Sequence, residues 1–318
     1  MKTTNKIILL LLAILVISCE DIFEENISDD KVETISPKDS TTIESNVINF
    51  QWNTLDGAKK YRLQVLNENK TIVLDSLVSK TSLNCPLLAG KYQWQVRGEN
   101  FAYKSKYSNP LTFSMVVSND LSNQQVVLSS PDNNSYKNNS NITLKWQKLA
   151  AATSYSVQVL NTTTGESVYT AENITETSVV LNNSMITKDA NYQWKIRGVN
   201  STSQTAQFSS RNFMIDTVVP NLPQNSLPAN NAPVTNNVST TYTWISPTDT
   251  GVVQSPLLHT IEFSTSNTFS TILFKTDNAT TSYKHTFTVI GDYYWRIKTT
   301  DIAGNVTAYS APFKFSVI

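Results

Sequence analysis

Beyond residue 19 the chain carries no sustained 3.6-residue hydrophobic repeat; apolar and polar side chains alternate in short runs instead. In Tyr92-Gln93-Trp94-Gln95-Val96-Arg97 the alternation puts Tyr92, Trp94 and Val96 on one face and Gln93, Gln95 and Arg97 on the other. Successive side chains of a strand point to opposite faces, so this run predicts a strand with one face buried. Matching runs occur at Tyr192-Gln193-Trp194-Lys195-Ile196-Arg197 and Tyr293-Tyr294-Trp295-Arg296-Ile297-Lys298. An earlier alternating strand precedes each: Tyr61 to Val65, Tyr155 to Val159 and His259 to Phe263. Short strands separated by Asn, Gly, Ser and Pro turns at intervals of about 8 to 12 residues predict two antiparallel sheets packed face to face.

That arrangement is repeated three times. Pro37 to Trp52, Pro131 to Trp146 and Pro228 to Trp244 span 15, 15 and 16 residues, and the Pro-to-Pro periods are 94 and 97. Each copy closes on an aromatic-Ser pair and a later Phe: Tyr107-Ser108 with Phe113, Phe208-Ser209 with Phe213, and Tyr309-Ser310 with Phe315. Such registered self-similarity is the mark of a tandem array. The expected fold is all-β, with three tandem antiparallel β-sandwiches at residues 35–117, 128–217 and 225–318.

The landmarks resemble those of fibronectin type III-like domains: a Trp on the second strand, a Tyr-x-Trp signature on the penultimate strand, and an aromatic-Ser before the last. Gly90 and Gly291, two residues before the signature Tyr, resemble the turn that precedes a tyrosine corner. The second copy departs from this, with Ala190 at that place. A generic immunoglobulin-like sandwich is the alternative, although the Cys pair of antibody-type domains is absent.

At the N-terminus, Lys2 and Lys6 precede an unbroken apolar run of 11 residues, Ile7 to Ile17. Crossing the hydrocarbon core takes about 20 apolar residues, so the run reads as a signal-peptide core. Val16-Ile17-Ser18-Cys19 resembles the lipobox of bacterial lipoproteins. The resemblance implies a signal peptide over 1–18, diacylglycerol on the Cys19 sulfur and attachment to a membrane through that lipid. Removing Cys19 to its acyl chain leaves Cys85 without a disulfide partner. Residues 20–33 hold seven acids and one base, Lys31. With few large apolar residues, such a stretch predicts a solvated acidic tether, placed at 19–34. Acids directly after the lipidated Cys also resemble signals that send lipoproteins to the outer face of the outer membrane. The expected location is therefore the outer membrane, lipid-anchored and open to the exterior.

Charge and composition narrow the chemistry. The chain has 25 Lys or Arg and 25 Asp or Glu, a balance that argues against a nucleic-acid partner. It has no Gly-rich phosphate loop, no Gly-x-Ser-x-Gly elbow and no His-Glu-x-x-His helix, so no enzyme activity and no cofactor are expected. Both histidines, His259 and His285, fall in strand-like runs of the third copy, without Cys or carboxylate at ligand spacing, and no metal site is expected there. Asp301-Ile302-Ala303-Gly304-Asn305 reads as a turn closed by Asx hydrogen bonds, with Gly304 at positive φ. By itself it offers too few oxygens for calcium, which takes six or more. Three Asp-Ser/Thr pairs, at Asp39, Asp75 and Asp216, resemble a bacterial O-glycosylation acceptor pattern.

One loop stands out as a contact surface. Asn100 to Lys106 places Phe101, Tyr103, Lys104 and Lys106 at a sandwich end, where loops carry recognition in this architecture. The two rings either stack on a glycan or protein ligand or fold back over the core. The equivalent loop of the second copy, Asn200 to Gln207, lacks an aromatic. Two functional readings follow: a non-catalytic lipoprotein acting as a binding or spacer array, and a glycan-binding accessory to an outer-membrane uptake system.

Overall fold

The computed structural model describes residues 24–318, so the signal segment and Cys19 lie outside the described residues. These divide into two compact units, one ending at Asn119 and one spanning Asp120–Ile318. The first unit holds one β-sandwich and the second holds two.

In the first unit the strands are β1 (Thr34–Ser36), β2 (Thr41–Ile43), β3 (Val47–Trp52), β4 (Lys60–Asn67), β5 (Ile72–Val78), β6 (Ser82–Pro86), β7 (Gly90–Glu99) and β8 (Leu111–Met115). They form a three-stranded sheet ordered β1-β3-β6 and a five-stranded sheet ordered β2-β8-β7-β4-β5. All pairings are antiparallel except β2 with β8, which is parallel. The second sandwich repeats this with β9 (Leu128–Ser130), β10 (Ser135–Lys137), β11 (Ile142–Trp146), β12 (Ser154–Asn161), β13 (Ser167–Ile174), β14 (Ser178–Leu181), β15 (Ala190–Val199) and β16 (Ser209–Ile215). The third does so with β17 (Gln224–Leu227), β18 (Ala232–Val234), β19 (Thr240–Ile245), β20 (Leu257–Ser264), β21 (Phe274–Asn278), β22 (Ser282–His285), β23 (Gly291–Asp301) and β24 (Phe313–Val317). Both later sandwiches keep the same two sheets and the same strand order. The chain is therefore three tandem antiparallel β-sandwiches of the fibronectin type III or immunoglobulin-like kind.

Alternation places the cores. Along β15 the burial pattern runs buried and part-exposed by turns, with Tyr192, Trp194 and Ile196 inward. Trp52, Trp146 and Trp244 are buried, each against an aromatic ring of the next strand: Tyr61, Tyr155 and His259. The two tyrosines also accept a backbone N–H, from Leu55 at 3.0 Å and Leu149 at 2.8 Å. His259, which replaces tyrosine in the third copy, bonds Thr299 Oγ1 through Nδ1 at 2.8 Å.

A tyrosine corner closes every copy. The hydroxyls of Tyr92, Tyr192 and Tyr293 donate to the carbonyls of Leu88, Lys188 and Val289 at 2.9, 2.8 and 2.9 Å. The corner in the second copy forms with Ala190 where the others have glycine, because the bond depends on the carbonyl four residues upstream and not on the residue that opens the strand.

The acidic segment differs from the expected solvated tether. Ile27 and Val32 are buried in the first unit. The backbone around them is tied down as well: Asn100 Nδ2 donates to the Glu25 carbonyl, Lys106 N to the Asp30 carbonyl, and Asn53 N to the Glu33 carbonyl. Two aliphatic side chains suffice to dock a stretch whose acids can all face water. Leu121 does the same at the entrance to the second sandwich, fully buried in that core.

Candidate functional site

The Phe101 loop is built by one asparagine. Asn100 Oδ1 accepts the N–H groups of Ala102 and Tyr103, at 3.1 and 2.7 Å, while its Nδ2 donates to the Glu25 and Gly57 carbonyls. This Asx turn turns Phe101 outward, 97% exposed, and leaves Tyr103 partly covered at 36%. The loop therefore does not fold both rings back over the core. Its cations are not equivalent. Lys106 is paired with Asp29 at 2.8 Å, and no ion pair among the described residues involves Lys104. Asn200 builds the corresponding turn of the second sandwich in the same way, through Thr202 and Ser203.

Elsewhere titratable groups are held in structural bonds. Cys85 is buried, its thiol donates to the Pro86 carbonyl at 3.4 Å, and burial pushes its pKa up, so it stays protonated. Burial lowers the pKa of both His259 and His285, and His285 packs against Phe263 and Phe274 with its ring within 30° of parallel to each. Thr217 Oγ1, in one of the acceptor-like pairs, donates to Asp189 at 2.9 Å, and Asp39 accepts from Thr112.

On the five-stranded sheet of the third sandwich, Glu262 lies directly across from Arg296 on β23 and Lys275 on β21. Arg296 reaches its carboxylate with Nη2 at 2.7 Å, Tyr309 donates to it at 2.7 Å, and Lys275 lies 3.8 Å away. The Arg296 guanidinium is stacked between Phe269 and Tyr309, 4.0 and 3.7 Å from their centroids. Burial and the Glu262 carboxylate together push the Tyr309 pKa up to about 12.

A second cluster was not visible from sequence spacing. Asp216 follows β16 in the segment leaving the second sandwich, Asp249 lies in the loop between β19 and β20, and Asp301 ends β23. One carboxylate oxygen from each lies within 4.8 Å of the others. Asp301 forms the expected Asx turn: its Oδ1 accepts Gly304 N and Asn305 N, both at 2.8 Å, and Gly304 has φ +105°. Asn305 Nδ2 then bridges, donating to Asp301 Oδ2 and to the Asp216 carbonyl, both at 2.8 Å. Asp216 Oδ2 accepts Ser255 N at 2.9 Å and Asp249 Oδ1 accepts Gly251 N at 2.8 Å. Gly251 is required by space, since a Cβ there would stand 2.8 Å from the Val253 carbonyl oxygen. Burial, and then the neighbouring Asp301 and Asp249 charges, raises the Asp216 pKa.

No protein-family model matches the sequence, and no curated protein matches it. Among solved structures, the chain is similar to the FN1–FN3 domains of chicken CNTN1, at 13% identity and TM-score 0.40 over 90% of this chain and 97% of that one. A two-domain fibronectin type III segment of chicken tenascin matches at 18% identity and TM-score 0.23, covering 60% of this chain and 99% of that one. The fibronectin(III)-like modules of Clostridium thermocellum CbhA match at 12% identity and TM-score 0.36, covering 61% and 93%. The fold assignment rests on the strand order repeated in all three sandwiches, and not on these likenesses.

Proposed function

We propose that the protein is a lipoprotein anchored through Cys19 at the outer membrane or cell surface, where its sandwiches act as a non-catalytic binding or spacer array. One observation carries the array reading: the same two-sheet sandwich is built three times in tandem, with the same strand order in each copy. The anchor rests on the 11-residue apolar run and the lipobox-like Val16-Ile17-Ser18-Cys19. Multiple acyl chains hold a protein stably, since each buried methylene contributes about 0.8 kcal/mol and a single chain is marginal. Cys19→Ala is expected to leave an unprocessed precursor that takes up no labelled fatty acid. Mature-length protein that still partitions into detergent would overturn the anchor.

The exposure of Phe101 favours a second reading, a glycan-binding accessory of an uptake system. Aromatic rings at a loop tip stack on sugar faces, and one such contact contributes roughly 0.5–1.5 kcal/mol beyond the area it buries. Phe101→Ala and Tyr103→Ala are then expected to weaken glycan binding several-fold each, with no change in melting temperature. Only five residues lie between Cys19 and Glu25, whose carbonyl is bonded to Asn100, so a lipid on Cys19 would hold this loop within about 20 Å of the bilayer. Anionic vesicles belong beside glycans in that assay. Loss of binding to vesicles alone would assign the loop to the membrane surface.

A further inference from the structure

We propose that Asp216, Asp249 and Asp301 form a calcium site at the junction of the second and third sandwiches. The first support is geometric. Oxygens bound to one calcium at 2.3–2.6 Å lie no farther than about 5 Å apart, and the three carboxylates already meet within 4.8 Å.

The second support is an unmet bonding requirement. Asp216 is 0% exposed, yet its Oδ1 has no hydrogen-bond donor; Oδ2 of the part-buried Asp249 has none either. Buried carboxylate oxygens are almost always bonded, and a pair without donors inside a cluster of three acids calls for a cation. Among the described residues no ion pair involves any of the three, so no lysine or arginine fills that role.

The segments entering the first and second sandwiches carry a buried aliphatic, Ile27 and Leu121, whereas the segment entering the third carries buried Asp216. An aliphatic plug needs no partner; a carboxylate does. The surrounding hydrogen bonds orient the acids without neutralising them, because every donor involved, from Ser255 N to Asn305 Nδ2, is uncharged. Hard oxygen ligands suit calcium, which accepts a flexible coordination number and completes it with carbonyls and water, while magnesium dehydrates reluctantly. The ion would join the segment leaving the second sandwich to a loop and a strand end of the third.

The test is titration of the full chain in detergent, stripped with EGTA, followed by calorimetry and thermal scanning with calcium chloride or magnesium chloride. Wild type is expected to bind one calcium at micromolar to millimolar concentration and to melt at higher temperature with calcium, with a smaller response to magnesium. Asp249→Asn, at the least buried of the three, is expected to weaken binding at least tenfold while melting in EGTA no lower than wild type. As a check independent of any variant, calcium is expected to slow amide exchange in wild type around residues 216–218 and 249–255. No saturable binding up to 10-fold above the millimolar range, or calcium binding unaltered in Asp249→Asn with exchange unchanged in those segments, would overturn the site.

Discussion

Trp194→Ala is expected to destabilise the second sandwich by about 3–5 kcal/mol, whereas Trp194→Phe should cost less than half as much. The indole is fully buried at the centre of that core, 6.4 Å from Trp146 between centroids, so truncation to a methyl leaves a cavity that the β-branched neighbours cannot collapse into. Its Nε1–H has no acceptor, so phenylalanine forfeits volume but no hydrogen bond. Trp94 makes the informative contrast, because its Nε1–H donates to the Pro37 carbonyl at 3.2 Å. Trp94→Phe should therefore lose about 1–3 kcal/mol more than Trp194→Phe, the cost of leaving a buried carbonyl unpaired. Denaturant unfolding of the full chain, followed by circular dichroism, measures the three variants against wild type. Equal losses for the two phenylalanine substitutions would show that the Pro37 bond contributes nothing.

Glu262→Ala is expected to cost about 1.5–3 kcal/mol in the third sandwich, since it removes the buried carboxylate and leaves a part-buried guanidinium unpaired between two aromatic rings. Arg296→Met combined with Glu262→Leu should recover much of the loss, because an apolar pair of similar volume replaces both charges. Burial alone would raise the Glu262 pKa, but hydrogen bonds from Tyr309 and Arg296 outweigh it and hold the carboxyl below its ordinary value of 4.5. The sign follows: the unfolded chain binds a proton more readily, so this stabilisation is complete above about pH 4.5 and is lost as pH falls toward the folded value. Melting wild type and Glu262→Gln between pH 7 and pH 3 tests this. A wild type whose third sandwich is no more acid-sensitive than the variant would remove Glu262 from the account.

Much of the fold was legible because alternation is local. Whether a side chain such as Val96 or Gln95 faces the core depends only on its parity within the strand, and the repeated Trp and Tyr landmarks carried the same register through three copies. The Phe101 loop could be located by its position between two strands. The exposure of Phe101 could not be foreseen, since the Asx turn that sets it is itself held in place by Asn100 bonding to Glu25 and Gly57, residues 75 and 43 positions away.

By itself the sequence determined that this is an all-β chain of three like sandwiches, which residues line their cores, and where the Asp301 turn and its Gly304 fall. Only the tertiary structure decided that Ile27 docks inside an acidic run, that the tyrosine corner survives Ala190, and that Asp216, Asp249 and Asp301 converge. The physical reason is separation along the chain. The three acids lie 33 and 52 residues apart, in a linker, a loop and a strand end, and no local periodicity relates them. They meet because the sheets of the third sandwich bring that loop and strand end to one end, and because the segment leaving the second sandwich enters at that end, where Asn305 donates to its backbone and Ser255 to its carboxylate.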